Sequence, residues 1–358
     1  MRQKLFIHIG PHKTGTSSLQ RFLFNNQKEL LKRGVFYPIA GLGARHAQHR
    51  FAFSIRGKLD PKDRTVPTRE AELEPLFADI RSSGADTAIL SSEAFFATGE
   101  AEIRILHSCV REFDTVVVFY ARRQDEGYIS SYTQRSKSST NRHTHPIHVH
   151  LGNPVKMGHD LDIHGHAVSW ARVFGKENVV ARLYSKNINV PEDFLHCIDE
   201  RRGKGPVLTS AMHQFTTDKS YNLSPSLEAT EMTRLFKMQC EDHDQRRMAF
   251  ELLSKHLENG RPAAKLLSTA DRRAILEFFR SSNEKLFREF FASENKFTPE
   301  QLLQGPETQR ESLTIEDTAK IIVDMIAKQS AANRRSVGGR LRRAANRTAR
   351  VLGLARRI

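Results

Sequence analysis

Between Gly10 and Ser18 the chain reads Gly-Pro-His-Lys-Thr-Gly-Thr-Ser-Ser, a turn crowded with hydroxyls around one lysine. The segment Pro11, His12, Lys13, Thr14, Gly15, Thr16, Ser17 and Ser18 suits an anion such as a phosphate. Lys13 brings a full positive charge, and Thr14, Thr16, Ser17 and Ser18 bring hydroxyl donors. Glycine lets the backbone turn tightly, so that consecutive N–H groups converge on one point. A helix starting at that point adds its first-turn N–H groups and its dipole. The order is not that of a nucleotide triphosphatase, G-x-x-x-x-G-K-[ST]. Gly10 and Gly15 hold the two glycine positions, but Thr16 stands where the lysine belongs, and the lysine has moved inside the loop to position 13.

The neighbouring residues supply the elements such a loop needs. Leu5-Phe6-Ile7-His8-Ile9 reads as a buried strand, and Leu19, Phe22, Leu23 and Leu30 recur at helical spacing until Gly34, which is placed to stop the helix. Val35-Phe36-Tyr37-Pro38 is short and extended; a loop with Gly41, Gly43, His46 and His49 follows, and residues 57–69 read as loop. Leu73, Leu76, Phe77 and Ile80 fit one helix face, Thr87–Ser92 a second buried strand closing on Glu93, and Ile103, Leu106, Val110 and Phe113 another helix. Thr115–Ala121 is the clearest strand, Gly165–Phe174 a helix stopped by Gly175, and Asn178–Tyr184 a further strand. Strands alternating with helices predict a parallel sheet covered on both faces. Ligands of such sheets bind beyond the carboxyl ends of the strands, where Lys13 and Glu93 both fall. From about residue 224 the pattern turns helical: Ser224 and Pro225 read as a cap and first-turn proline. Helical stretches then run through Leu227–Phe236, Met248–Leu257, Ile275–Phe291 and Ile315–Ile326.

The chain has 358 residues, 39% apolar and 27% charged, which describes a water-soluble globular protein with room for a substantial core. No run of apolar residues reaches the length of a membrane span. The strand beginning by Leu5 leaves no room for a signal peptide, so the expected location is cytoplasmic. Cys109, Cys197 and Cys240 are odd in number and widely spaced, which fits a reducing compartment and no metal-ligand spacing. Seven histidines crowd residues 143–166; His145, His148 and His150 lie close together, yet Asp160 and Asp162 complete no familiar ligand set with them. A loop that binds an acceptor is the reading preferred for this stretch.

Nine of the fifteen net positive charges sit in residues 331–358, which hold nine arginines and no acid. Leu341, Val351, Leu352, Leu354 and Ile358 are interspersed among them, a pattern that can lie on an anionic membrane. A tail that only aids solubility is the plainer alternative. The chain is therefore divided into a domain over 1–327 and a basic tail over 328–358.

A second constellation points to a family. The strand 115–121 runs straight into Arg122, and Ser130 follows eight residues later on the next helical stretch. The loop order with Lys13 resembles the 5′-phosphosulfate loop of sulfotransferases, whose donor is 3′-phosphoadenosine 5′-phosphosulfate (PAPS). Arg122 and Ser130 resemble the strand-end arginine and helix serine that grip the donor's 3′-phosphate in that family. A planar guanidinium fork and a nearby hydroxyl suit a phosphate. Arg123 and Ser131, offset by one residue, are second choices. Ser91-Ser92-Glu93, Trp170–Val179, Asn222–Pro225 and Ser282-Asn283 extend the resemblance across most of residues 3–327. The chain is similar to the bacterial branch, with carbohydrate-type relatives.

The resemblance implies a P-loop-like three-layer α/β/α fold with a central parallel sheet and a helical C-terminal part. It implies PAPS as donor substrate, no metal, and a hydroxyl acceptor such as a carbohydrate or glycolipid. It gives Lys13 the leaving phosphate oxygen, the amides around Gly15 and Thr16 the 5′-phosphate, and Tyr184 an adenine contact, although a core tyrosine is the plainer reading of Tyr184. Many soluble members place a histidine after the strand matching 87–92. This chain places Glu93 there, as the heparan-type members place a glutamate, and Glu93 is the chosen base, with His12, His46 and His49 behind it. A solvated strand-end carboxylate is the plainer alternative for Glu93. The R-K-G triplet of the cytosolic aryl and steroid enzymes is absent; Arg201-Arg202-Gly203-Lys204 has its composition at the wrong position. Two other classes compete. A P-loop kinase or hydrolase would need lysine at 16 and a metal-holding aspartate at a strand end. A nucleic-acid-binding protein would follow from the charge, but that charge is concentrated in one tail and no nucleic-acid motif accompanies it.

Overall fold

The computed structural model describes residues 2–42, 46–58, 65–138, 144–151, 161–217, 225–302 and 304–328. Gly43, His143, His159, Asp160, Asn222, Ser224 and the tail 331–358 lie outside them. In chain order the elements are β1 (Lys4–Gly10), α1 (Thr16–Asn25), α2 (Gln27–Leu31), β2 (Val35–Phe36), α3 (His49–Arg56), α4 (Arg69–Ser82), β3 (Thr87–Ser91) and α5 (Glu100–Val110). Then come β4 (Asp114–Ala121), α6 (Gln124–Lys137), α7 (Ile163–Phe174), β5 (Val179–Leu183), α8 (Val190–Arg202), α9 (Leu227–Gln239), α10 (His243–His256), α11 (Thr269–Phe278) and α12 (Arg280–Leu286). Residues 315–328 are also helical.

Two compact units divide the chain. One gathers Met1–Gln134, Pro146–Ser224 and Leu267–Gln309; the other gathers Arg135–His145, Pro225–Leu266 and the chain from Arg310 on. The first is built on five parallel strands in the order β2-β3-β1-β4-β5. Side chains of a strand alternate between faces, and here both faces are apolar. Leu5, Ile7 and Ile9 of β1, with Val117 and Phe119 of β4, enter one core with Phe51, Phe95, Leu106, Trp170 and Leu286. Phe6 of β1, with Val116, Val118 and Tyr120 of β4, enters the other with Leu19, Leu23, Phe194 and Ile198. Helices α3, α4, α5, α7 and α12 therefore cover one face, and α1, α2 and α8 the other. This is the three-layer α/β/α arrangement that strand–helix alternation predicts. In the second unit α9 and α10 pack together, and Arg261 joins Glu228, Glu311 (3.1 Å) and Asp317 (2.9 Å).

Several local expectations need correction. The first helix does not run unbroken to Gly34. It breaks at Asn26, whose side-chain amide donates to Phe22 O (2.8 Å) and Thr216 O (2.9 Å) and whose carbonyl accepts from Thr216 N (2.7 Å). A side chain that competes for backbone groups ends the helix there. The loop expected around His49 contains α3, and no side chain caps that helix. Gln48, at its cap position, instead accepts from Ser91 N (2.8 Å) and donates to Pro38 O (3.1 Å). The cap of α9 is Ser226, accepting from Ala229 N at 3.1 Å, rather than Ser224.

Candidate active site

In the order β2-β3-β1-β4-β5 the chain leaves β1 toward β3 on one side and returns to β4 on the other. The turns after β1 and β3 or β4 thus part company at the carboxyl end of β1, and a crevice opens there. Three turns reach it: residues 11–15 after β1, Glu93 after β3 and Arg122 after β4.

The loop after β1 is held in an unusual shape. The β1–β4 register slips between His8 and Gly10, so β1 leaves the ladder through an irregularity. Gly10 has φ +100°, and a Cβ there would stand 3.1 Å from both Cα and Cβ of Glu93. The loop therefore crosses directly against the start of the β3 turn. Gly15 has φ +79° and caps α1; a Cβ on it would stand 2.7 Å from Val190 Cγ2 at the start of α8. Lys13 also adopts the left-handed conformation, φ 68°. That conformation costs a non-glycine residue about 1–3 kcal/mol. Two bonds hold it: Arg122 Nη1 donates to Lys13 O at 2.7 Å, and the buried Thr14 hydroxyl donates to Pro11 O at 2.7 Å. No side chain caps α1, so no capping side chain competes for its first-turn N–H groups. Thr16 is buried in this turn, Ser17 is half-buried and Ser18 is exposed. The hydroxyls of the loop are thus not equivalent: Thr14 serves the loop itself.

Arg122 is held by several neighbours. Besides Lys13 O, its Nε and Nη2 each donate to Glu126 Oε2 at 3.3 Å, and its Cζ stands 5.0 Å from the centre of the Tyr184 ring. Tyr184 therefore supports the guanidinium by a cation–π contact. Arg123 turns instead to Asp125 (2.7 Å), which is wholly buried and also pairs with Arg272 (2.8 Å). Its partners are structural. Gln124 and Asn283 exchange side-chain amide bonds of 2.6 and 3.0 Å, fixing the first turn of α6 to α12. Ser130 is half-buried on α6, roughly two turns beyond Arg122.

Glu93 is the centre of charge, only 7% exposed. Its Oε2 accepts from Gln20 Nε2 at 2.9 Å and lies 3.8 Å from His49 Nε2; its Oε1 lies 3.8 Å from His12 Nδ1. Burial pushes this carboxyl up, but the His49 charge, the Gln20 hydrogen bond and the His12 charge together outweigh burial and hold it below the usual glutamate range. Glu93 is therefore ionised at neutral pH and, as a buried carboxylate beside the loop 11–15, can take a proton. It is not the solvated strand-end carboxylate. His49 is oriented by Ser92 Oγ, 2.8 Å from its Nδ1. His46 is occupied differently: its ring stacks on Phe24 at 3.9 Å and its carbonyl accepts from the Tyr37 hydroxyl at 2.6 Å.

Gln20, His8 and Glu126 are residues around the site that reading the sequence misses, and Ser91 was named only within Ser91-Ser92-Glu93. Gln20 could have been found as a polar residue beside Leu19 on the apolar face of α1. Among the described residues no group of three or more His, Cys, Asp or Glu side chains could hold a metal ion, and no helix is long and apolar enough to cross a membrane.

No family model matches the chain. A curated protein of Archaeoglobus fulgidus, described only as uncharacterized, is 28% identical over 223 residues, 58% of this chain and 55% of its own length. The chain thus spans about half the length of the curated relative it matches. Among solved structures, the crystal structure of a sulfotransferase from Alicyclobacillus acidocaldarius is similar at TM-score 0.42 and 18% identity, over 71% of this chain and 96% of that one. A likeness that remote carries no argument for fold or activity; the fold rests on the sheet and helices described above.

Proposed function

We propose that this protein is a sulfotransferase that moves a sulfuryl group from PAPS to a hydroxyl acceptor. The observation that carries this reading is the convergence of the loop 11–15, Glu93 and Arg122 at the carboxyl ends of three adjacent strands, β1, β3 and β4. In this reading the amides of Gly15 and Thr16 and the α1 dipole hold the 5′-phosphate. Arg122, with Ser130, receives the 3′-phosphate. Glu93 accepts the proton of the acceptor hydroxyl, whose oxygen forms the new S–O bond. The S–O bond to the 5′-phosphate breaks, its electron pair stays on the phosphate oxygen, and Lys13 neutralises the charge that appears there.

The test is transfer of label from PAPS to a panel of glycans, glycolipids and small phenols. A glycan or glycolipid acceptor is expected; hydrolysis of ATP with magnesium, and no label transfer, would favour a kinase or hydrolase instead. The lysine at position 13 rather than 16 and the Ser-Ser-Glu end of β3 argue against that second class.

Glu126 makes the 3′-phosphate assignment testable. Its carboxylate occupies the Nε and Nη2 edge of Arg122, so a phosphate arriving there meets a like charge. Glu126→Gln should tighten binding of 3′-phosphoadenosine 5′-phosphate by roughly threefold to tenfold, the effect of removing about 1 kcal/mol of repulsion. Titration calorimetry reads it, and unchanged or weaker binding would detach Arg122 from the 3′-phosphate.

The proposed location is cytoplasmic, with peripheral contact to anionic membrane through residues 331–358. Helix 315–328 exposes Ile315, Ile322, Val323 and Ile326 just before that arginine-rich stretch. Removing 331–358 should reduce sedimentation with anionic vesicles and spare turnover of a soluble acceptor; unchanged sedimentation would sink the membrane contact.

A further inference from the structure

Glu93 is held by more than its own strand. Gln20 Nε2 donates to Glu93 Oε2 at 2.9 Å and also to Ser91 Oγ at 3.2 Å, and Ser91 Oγ lies 2.8 Å from His8 Nδ1. His8, Ser91 and Gln20 are wholly buried. Four side chains on β1, β3, α1 and the β3 turn thus form one hydrogen-bonded chain that ends on the carboxylate.

Polarity runs one way along this chain. An ionised carboxylate only accepts, so the Gln20 amide must present its nitrogen to it. The second amide proton goes to Ser91 Oγ, whose own proton then points at His8 Nδ1. His8 is left with its proton on Nε2, and burial, which pushes its pKa down to about 4, keeps the ring neutral. Gln20 Oε1 and His8 Nε2 have no hydrogen-bond partner among the described residues. An amide buried with its carbonyl unpaired calls for an explanation, and its nitrogen supplies one. Gln20 lies four residues after Thr16, on the same face of α1. The helix that opens at the anion-cradling loop therefore also grips the carboxylate.

The two carboxylate oxygens differ in consequence. Oε2 is enclosed by Gln20 and His49. Oε1 faces His12, whose side chain is 72% exposed, and so faces the open side. We propose that Gln20 is the positioning residue of Glu93, tying Oε2 to the phosphate-loop helix and leaving Oε1 as the atom that takes the acceptor's proton. This inference rests on the reading of Glu93 as base. The titratable groups around Glu93 are His8 on β1, His12 in the loop, Tyr37 after β2 and His49 on α3. Gln20 reaches one of them, His8, through Ser91 Oγ.

Two variants test it. Gln20→Met keeps the length and removes the donor; Gln20→Glu keeps the shape and sets a second carboxyl against the first. The readouts are kcat and KM for transfer from PAPS, affinity for 3′-phosphoadenosine 5′-phosphate, the acid limb of the rate profile, and titration of Glu93 by carboxyl carbon NMR. Losing a hydrogen bond to the charged form favours the protonated form, so Glu93 in Gln20→Met should titrate about one pH unit higher. The acid limb should move with it, kcat should fall roughly tenfold to a hundredfold, and nucleotide affinity should stay within about twofold. In Gln20→Glu the two carboxyls share a proton, and the limb should move higher still. If Gln20→Met does not fold, the nearly isosteric Gln20→Glu decides alone. Unchanged kcat and unchanged Glu93 titration in a folded variant overturn the proposal. Failure of the wild type to bind the nucleotide overturns the sulfotransferase reading instead, and the Glu93 titration still reports whether Gln20 governs the carboxylate.

Discussion

Glu93→Gln is expected to cut turnover by about 10²–10⁴-fold, the range for losing a general base, while donor-product affinity stays near the wild-type value. The substitution preserves shape, and the new amide oxygen can still accept from Gln20, so the loop should keep its geometry. What disappears is basicity. Because His49, Gln20 and His12 hold the Glu93 carboxyl below its usual range, the wild-type acid limb should lie on the acid side of that range. A carboxyl whose folded-state pKa is depressed also contributes stability above the unfolded-state value, and that stability is lost as pH falls through the folded-state value. Glu93→Gln should flatten both dependences. The rate loss should shrink for acceptors with more acidic hydroxyls, which need less help to ionise. Normal turnover would remove Glu93 as base and turn attention to His12 and His49, the histidines beside it. Lost nucleotide binding would make Glu93 a structural partner of the loop.

Lys13→Ala should lower turnover by about 10²–10³-fold, as loss of one preorganised charge-stabilising group does. The backbone supports a clean reading. Arg122 grips the carbonyl of residue 13, not its side chain, so that hydrogen bond survives the substitution. Alanine in the left-handed conformation is strained as lysine is, whereas Lys13→Gly relieves the strain. The two variants should therefore be about equally slow, and the glycine variant should unfold at the higher temperature. Turnover of Lys13→Ala within a few-fold of wild type would take the cation out of the transition state.

The sheet was legible because its strands are apolar on both faces and interrupted by helical periodicity. The turn between β1 and α1 was legible because glycines bracket it and an apolar strand and a helical repeat flank it. What local reading missed was decided at long range. Helix α3 has no capping side chain because Gln48 is drawn away to Ser91, forty-three residues on. Asn26 breaks the first helix by pairing with Thr216, a distant segment that no window includes. Helix α8 is a different case: Asn189 caps it, Pro191 follows and Gly203 closes it, so its signals were present in the sequence and went unread. Within the candidate site, strand ends placed Glu93 and Arg122, and the resemblance supplied the roles expected of them. Their environments could not be read this way, since Glu126, Tyr184, Gln20 and His49 arrive from other elements.

The most direct test of the central claim compares two nucleotides of equal phosphate count, of which one carries a 3′-phosphate and the other does not. In the proposed reading, 3′-phosphoadenosine 5′-phosphate offers a 5′-phosphate to the loop at 11–18 and a 3′-phosphate to Arg122; ADP lacks the 3′-phosphate and carries both of its phosphates on the 5′ side. Thermal unfolding of the full chain should be shifted upward by the first nucleotide, by about 2.7 kcal/mol of added stability at 100 times its dissociation constant, and far less by ADP at the same concentration. Equal shifts from the two nucleotides, or none from either, would contradict the account.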